Sequence, residues 1–169
     1  MVEVSAVTAR RWSVVQPWLG TAARLILAGV WIVAGASKVG DLAASGRAVN
    51  AYQLMPFDVA QVVGATLPLV EIVLGVLLLV GFATRLAAAA SAALLVVFVA
   101  GITSAWVRGL SIDCGCFGGG GQLEAGQSPS YGPEIARDVA FLALALFLIV
   151  FPRTRFSLDA LLTGDSRED

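Results

Sequence analysis

Four long apolar stretches dominate the pattern of this chain. They cover residues 19–36, 59–82, 86–107 and 135–151, with shorter polar segments between them. A helix rises about 1.5 Å per residue, and about 20 apolar residues are needed to cross a bilayer. Each stretch is close to that length. The pattern therefore predicts an all-α fold, a bundle of four transmembrane helices that forms a single integral membrane domain over residues 1–169.

The connecting segments differ in character. Residues 37–58 are moderately polar, and we expect a short interfacial helix over residues 48–55, ending before Pro56. Residues 108–133 are rich in glycine and proline, which is typical of irregular backbone. The short segment between the second and third stretches serves only as a turn.

The positions of arginine and lysine predict the orientation. The N-terminal tail, the short second loop and the C-terminal tail carry seven of them: Arg10, Arg11, Arg24, Arg85, Arg153, Arg155 and Arg167. The other side carries four: Lys38, Arg47, Arg108 and Arg137. Positive residues favour the cytoplasmic side, so both termini are predicted inside and loop 108–133 outside. A cleavable signal peptide is the alternative for the first stretch, but Arg24 within the apolar run disfavours it.

The composition supports a membrane location. Hydrophobic residues make up 58% of the chain and charged residues 14%, against about 25% charged in soluble domains. No basic stripe is present, so nucleic-acid binding has no support. The chain has no histidine, which removes the usual general base and the commonest metal ligand.

The sharpest local motif is the hexapeptide Asp113-Cys114-Gly115-Cys116-Phe117-Gly118, which holds both cysteines of the chain. A disulfide across a single glycine closes a small strained ring, and strain makes a disulfide easier to reduce. Thiol–disulfide exchange is therefore the functional hypothesis. Two alternatives stay open: packed structural thiols, or half of a metal site that another protein completes. Cys and His alone cannot supply a zinc site here, so no metal centre is predicted within the chain.

Two arginines flank this loop. Arg108 and Arg137 are expected at the outer ends of the third and fourth helices, where a positive charge would lower the pKa of a cysteine. Asp113 would act in the opposite direction. Anchoring at the membrane interface is an equally good explanation of both arginines.

A second candidate site lies within the membrane. Glu71 is deep in the second stretch, where carboxylates are costly and usually functional or paired. Its spacing from other polar or small residues predicts one stripe that faces the bundle: Gln61, Gly64, Pro68, Glu71 and Gly75. The depth of Arg24 permits an Arg24–Glu71 pair. A structural ion pair and a proton or quinone site are both open interpretations.

The chain resembles the MauE family of methylamine-utilisation membrane proteins, within the wider DoxX-like group. The similarity extends from about Arg24 to Pro152. The segments that carry it are Arg24-Leu25, Ala34-Gly35-Ala36-Ser37-Lys38, Tyr52 with Leu54 and Pro56, Pro68 with Glu71 and Gly75, Gly81 before Arg85, and the cysteine hexapeptide. The hexapeptide is the specific element, since the helix signatures are shared among DoxX-like proteins.

The resemblance implies a four-helix membrane protein that works beside a thioredoxin-fold protein, as family members do in maturing a disulfide-rich subunit. Similar-sized bundles, the DsbB-like and vitamin K epoxide reductase-like oxidoreductases, generally relay electrons to quinone through two cysteine pairs. This chain has one pair, so a relay here has a single step.

These features together give one functional hypothesis. It is a thiol–disulfide oxidoreductase or maturation factor of a bacterial inner membrane, with Cys114 and Cys116 as the exchanging pair. The partner would be an extracytoplasmic DsbA-like protein, and quinone is a candidate acceptor. The alternative from another class is a non-catalytic scaffold of a redox or respiratory complex. A transporter using Glu71 is disfavoured, because four short helices carry no second acid within the membrane.

Overall fold

The computed structural model describes residues 2–115, 120–123 and 127–162, with side chains from residue 15 onward. Within this part of the chain the elements are α1 (Val2–Val39), α2 (Leu42–Ala51), α3 (Phe57–Val80), α4 (Thr84–Val107), β1 (Ile112–Asp113), β2 (Gly121–Gln122), α5 (Tyr131–Val150) and α6 (Leu158–Leu162). The four predicted long helices are present as α1, α3, α4 and α5. Their ends lie within about four residues of the expected positions, except that α1 begins much earlier.

The four long helices form a closed bundle. Helix α1 packs against α3 and α5, and α4 packs against α5 and α3. Large buried side chains fill the interior, among them Leu27, Trp31, Leu78, Leu95 and Leu148. The outside of the bundle is apolar too: Val62, Val97 and Val150 are 65%, 63% and 67% exposed. A bundle that is apolar both inside and outside requires lipid as its solvent.

Three of these helices are long and apolar enough to cross a membrane: the part Val15–Val39 of α1, then Phe57–Val80 and Thr84–Val107. Helix α5 is of similar length and packs within the same bundle, but its first half carries Glu134, Arg137 and Asp138. Each of the three segments above carries at most two charged residues, so the first half of α5 is more highly charged than any of them.

The polar and small-residue stripe predicted on α3 faces the bundle. Gly64, Pro68, Glu71 and Gly75 are buried, and Gln61 is half-buried. Helix α3 then ends at Gly81, which adopts a left-handed conformation with φ of 68°, while the amide of Phe82 donates to the carbonyl oxygen of Leu77 at 3.0 Å. This geometry closes the helix with its last carbonyl groups satisfied.

The predicted interfacial helix exists, but its position was wrong. Helix α2 spans Leu42–Ala51 rather than residues 48–55. The physical reason is its cap: the side chain of Asp41 accepts a hydrogen bond from the amide of Ala44 at 2.8 Å and starts the helix earlier. Loop 108–133 was predicted to be irregular, but it also contains a short two-stranded sheet. The strands β1 and β2 pair antiparallel, with Ile112 opposite Gln122 and Asp113 opposite Gly121.

Two glycines bring α2 onto the first half of α3. A Cβ atom on Gly64 would lie 2.5 Å from the Cα atom of Gly46, so position 64 has no room for a side chain. Close approach of this kind, through small residues, is common between helices in membranes. This close approach fixes α2 beside the bundle. It also brings Tyr52, at the end of α2, next to the hairpin of β1 and β2.

Candidate functional site

The backbone of Cys114 is held by two tyrosines from different helices. The hydroxyl of Tyr52, at the end of α2, donates to the carbonyl oxygen of Cys114 at 3.2 Å. Tyr131 begins α5, and its hydroxyl donates to the carbonyl oxygen of Leu110 and accepts from the amide of Ile112 at 3.2 Å. The hairpin is thereby tied to both α2 and α5. Gly115 follows with φ of 68°, a conformation that other residues rarely adopt.

The side chain of Cys114 lies beside a charged face of α5. Arg137 Nη2 approaches Cys114 Sγ at 3.8 Å, and Arg137 is itself held by Asp138 Oδ1 at 3.0 Å. Asp138 is buried, with 3% of its surface exposed, and it lies within the stretch 135–151, so the expectation that the helices carry no acid besides Glu71 was wrong. Because Asp138 fixes the guanidinium, Arg137 offers a positive charge to the sulfur in a defined position, which favours the thiolate form of a cysteine.

A carboxylate that the sequence analysis overlooked also contacts this cysteine. The thiol of Cys114 donates a hydrogen bond to the half-buried Glu134, which lies just before the predicted fourth span. Burial and the negative charge of Asp113 raise the pKa of Glu134, and together they outweigh the opposing effects of the Cys114 hydrogen bond and of Arg137. Glu134 can therefore exchange a proton with the sulfur.

The same groups offer ligand atoms for a metal. One such atom each from Asp113, Cys114 and Glu134 lie within 4.8 Å of one another. The expectation of no metal centre rested on cysteine and histidine alone, so it left this grouping out. The guanidinium of Arg137 at 3.8 Å from the sulfur disfavours a second cation there, so the arrangement suits proton and thiol chemistry better.

Of the two arginines expected to assist the cysteines, only Arg137 contacts Cys114. Arg108 donates instead to the carbonyl oxygens of Tyr52, of Gln53 at 3.5 Å and of Ser104 at 3.2 Å. It is exposed and ties the end of α4 to the end of α2. The carbonyl groups left unpaired at the end of α2 attract the guanidinium, and assistance of the cysteine pair by Arg108 stays a prediction. Cys116, the second predicted exchanging cysteine, lies outside the described residues.

The predicted Arg24–Glu71 pair was also wrong. Lys38, from the last turn of α1, donates to both carboxylate oxygens of Glu71, at 2.7 and 2.9 Å. The side chain of Glu71 is fully buried and that of Lys38 is 9% exposed. The long lysine side chain extends down from its backbone position to the carboxylate, so the match of backbone depths between residues 24 and 71 was misleading.

Arg24 has a different set of partners. Its Nη1 donates to the carbonyl oxygens of Leu78 and Leu79 at 3.1 and 3.2 Å, which lie in the last turn of α3. Its Nη2 donates to the carbonyl oxygens of Arg155 and Phe156 at 3.3 and 3.0 Å. A cation at the C-terminal end of a helix is favourable, and here it also fastens the C-terminal segment to the bundle.

Two comparisons with known proteins give a match. The family model described as methylamine utilisation protein MauE matches residues 16–151. A methylamine utilization protein MauE from Paracoccus denitrificans is 36% identical over 107 residues, which are 63% of this chain and 58% of that protein. The chain thus spans less than two thirds of the length of this curated relative. No solved structure gives a significant match.

The family match and the three apolar helices together give the location. The chain is a multi-pass protein of a bacterial inner membrane.

Proposed function

The chain belongs to the MauE family, and from that premise we propose that it is a membrane thiol–disulfide oxidoreductase that exchanges electrons with an extracytoplasmic thioredoxin-fold, DsbA-like protein. The observation that carries this proposal is the surroundings of Cys114. Its sulfur lies against Arg137 and hydrogen-bonds to Glu134, in a hairpin held by Tyr52 and Tyr131. An inert structural thiol needs none of these groups.

The exchange follows ordinary disulfide chemistry. A thiolate of the reduced partner attacks the Cys114–Cys116 disulfide and forms a mixed disulfide, and one cysteine of the pair leaves as a thiolate. The second thiolate of the partner then attacks the mixed disulfide. The partner is released oxidised, and two electrons remain on Cys114 and Cys116 as two thiols.

The residues around Cys114 have separate roles in these steps. Arg137 stabilises the negative charge on the sulfur when Cys114 is the leaving group or the attacking thiolate. Asp138 is a positioning residue, because it acts by holding Arg137. Glu134 accepts the proton of the Cys114 thiol when the pair is oxidised again, and returns it when the pair is reduced.

The proposed topology completes this function. The part of α5 from residue 135 onward is taken as the fourth membrane span, because its second half is apolar and presents Leu146 and Val150 outward at 50% and 67% exposure. With both termini in the cytoplasm, the hairpin faces the oxidising side, where disulfides persist. An impermeant maleimide applied to intact cells after reduction should label Cys114. Labelling only after lysis would contradict this orientation.

The proposed function is tested by the redox state of the cysteine pair in isolated membranes. We expect Cys114 and Cys116 to be oxidised at rest, to become reduced after a pulse of reduced thioredoxin, and to return to the disulfide when the pulse ends. Alkylation with a mass tag before electrophoresis reports each state. Cysteines that stay in one state throughout would contradict exchange and favour the alternative of a non-catalytic scaffold for a redox or respiratory complex.

A further inference from the structure

A cavity of about 210 Å³ lies between α2, α3 and α4. Cys114 and Gly115 line one end of it, and Lys38 lines another part of the wall. Most of the remaining wall is apolar or aromatic, with Ala48, Val49, Tyr52, Leu67, Leu94 and Phe98 among the lining residues. The cavity thus reaches both Cys114 and the lysine of the intramembrane ion pair.

The cavity is accessible from the lipid-facing side of the bundle. Val63 on α3 and Val97 on α4 both line it, yet they are also 37% and 63% exposed on the outside. Both residues lie in apolar spans, so the surface that they expose faces hydrocarbon. A ligand that enters here comes from the bilayer and is apolar over most of its surface.

Lys38 supplies a polar contact inside this apolar wall. An ammonium group has three N–H donors, and two of them point at the Glu71 oxygens at 2.7 and 2.9 Å. One donor is left over for the ligand. An acyl chain has nothing to accept it, whereas a ring that bears a carbonyl oxygen does.

We propose that this cavity binds the ring of a quinone dissolved in the bilayer, and that this quinone takes the electrons of the Cys114–Cys116 pair. The inference rests on the proposed function, which leaves two electrons on two thiols. The thiols lose two electrons and two protons and form the disulfide, and the quinone gains both and becomes a hydroquinone. Cavities that enclose whole drug-sized ligands measure about 300–1,000 Å³, so this smaller one holds the ring while the isoprenoid tail stays in lipid.

Gly101 offers a way to block the cavity without disturbing its walls. Gly101 lines the cavity in the last third of α4, and a Cβ atom there would meet the ring of Tyr52 only at ordinary contact distances of 3.5 and 3.7 Å. Gly101→Leu therefore places a side chain in the space of the ring. Gly29→Leu is the matched control, because Gly29 is exposed on α1 and a Cβ there meets nothing within 4 Å.

The experiment measures binding of decyl-ubiquinone to the full chain in lipid nanodiscs, by equilibrium partitioning against empty nanodiscs. We expect saturable binding that Gly101→Leu weakens by about tenfold or more and that Gly29→Leu leaves unchanged. Equal binding by the two variants, or no saturable binding by the unaltered chain, would overturn the proposal. A measurement without any variant supports it independently: decyl-ubiquinone should slow alkylation of Cys114 by N-ethylmaleimide, and an unchanged rate would contradict the proposal.

A parallel assay separates this inference from the function on which it rests. Oxidation of reduced thioredoxin by the chain tests exchange, and the change in quinone absorbance tests electron transfer. Exchange that persists in Gly101→Leu while quinone reduction is lost supports both. Exchange without quinone binding overturns only the cavity assignment. If the chain binds quinone, Gly101→Leu weakens that binding and no exchange is seen, the proposed function is overturned while the assignment of the cavity stands.

Discussion

The buried pair of Lys38 and Glu71 allows a quantitative prediction. The carboxylate of Glu71 is fully buried. In Lys38→Met it stays buried but loses the ammonium group that donates to both of its oxygens. Removing one partner of a buried pair costs about 3–5 kcal/mol of folding free energy. We expect Lys38→Met to fall in that range. Glu71→Leu should cost less, because the lysine that it strands can turn toward the membrane surface.

Removing both charges should be milder than either single change. Replacing a buried ion pair by apolar residues of similar volume is often neutral or stabilising. The double variant Lys38→Met with Glu71→Leu should therefore show an interaction energy of at least about 2 kcal/mol relative to the sum of the single changes. The assay is reversible unfolding in mixed detergent micelles, followed by loss of helical circular dichroism.

A second cycle provides the control. Arg24 bonds to the carbonyl oxygens of Leu78 and Leu79 and not to Glu71, so Arg24→Met and Glu71→Leu should be additive within about 0.5 kcal/mol. Additive losses in the Lys38 cycle, or a large interaction energy in the Arg24 cycle, would refute the assignment of the pair.

The remaining predictions concern the surroundings of Cys114 and the C-terminal segment. Arg137→Gln should slow alkylation of reduced Cys114 at neutral pH, since the charge beside the thiolate is lost, whereas Arg108→Gln should not. Equal effects of the two changes would contradict the contact of Arg137 with Cys114. The raised pKa of Glu134 means that it becomes a proton acceptor only above the usual range of carboxyl groups. Reoxidation of the pair should therefore accelerate as pH rises through that pKa, and Glu134→Gln should abolish this dependence; an unchanged profile would exclude the role. Burial opposes ionisation of Asp159, but the amides of Ala83 and Thr84 donate to its oxygens at 2.7 and 2.8 Å and lower its pKa. Its stabilising effect should be complete above about pH 4 and disappear as pH falls through the lowered pKa. Asp159→Asn should cost about 1 kcal/mol at neutral pH, as loss of a helix cap does, and a loss that does not shrink as the pH is lowered would point to another cause.

The sequence predicted the helices well, because lipid allows few alternatives. Backbone groups in hydrocarbon must be paired within the chain, so apolar runs of about 20 residues become helices almost without regard to their neighbours. The stripe on α3 was predictable for a similar reason. Gly64, Glu71 and Gly75 follow helical spacing, and a polar group in a span turns toward the protein.

The partners of the charged residues were not predictable in the same way. The pairing of Arg24 with Glu71 rested on backbone depth, and depth does not say which long side chain reaches a given carboxylate. Lys38 pairs with Glu71 because its side chain is long enough to reach the carboxylate from the last turn of α1. Glu134 and Asp138 carried a usable signal, since they lie three residues before and one after Arg137 at the start of one helix. Contact with Cys114, however, depends on a hairpin that joins distant parts of the chain.

The most direct test of the central claim is capture of the mixed disulfide. In Cys116→Ala, Cys114 is left with no second cysteine in the chain, so a complex with an extracytoplasmic thioredoxin-fold protein should accumulate in intact cells. The account predicts a band on non-reducing gels that collapses with dithiothreitol, contains that protein by mass spectrometry, and is absent when Cys114 is also replaced by alanine. No such complex in Cys116→Ala or in Cys114→Ala, together with an unchanged redox state of extracytoplasmic thioredoxin-fold proteins when both cysteines are replaced, would contradict it.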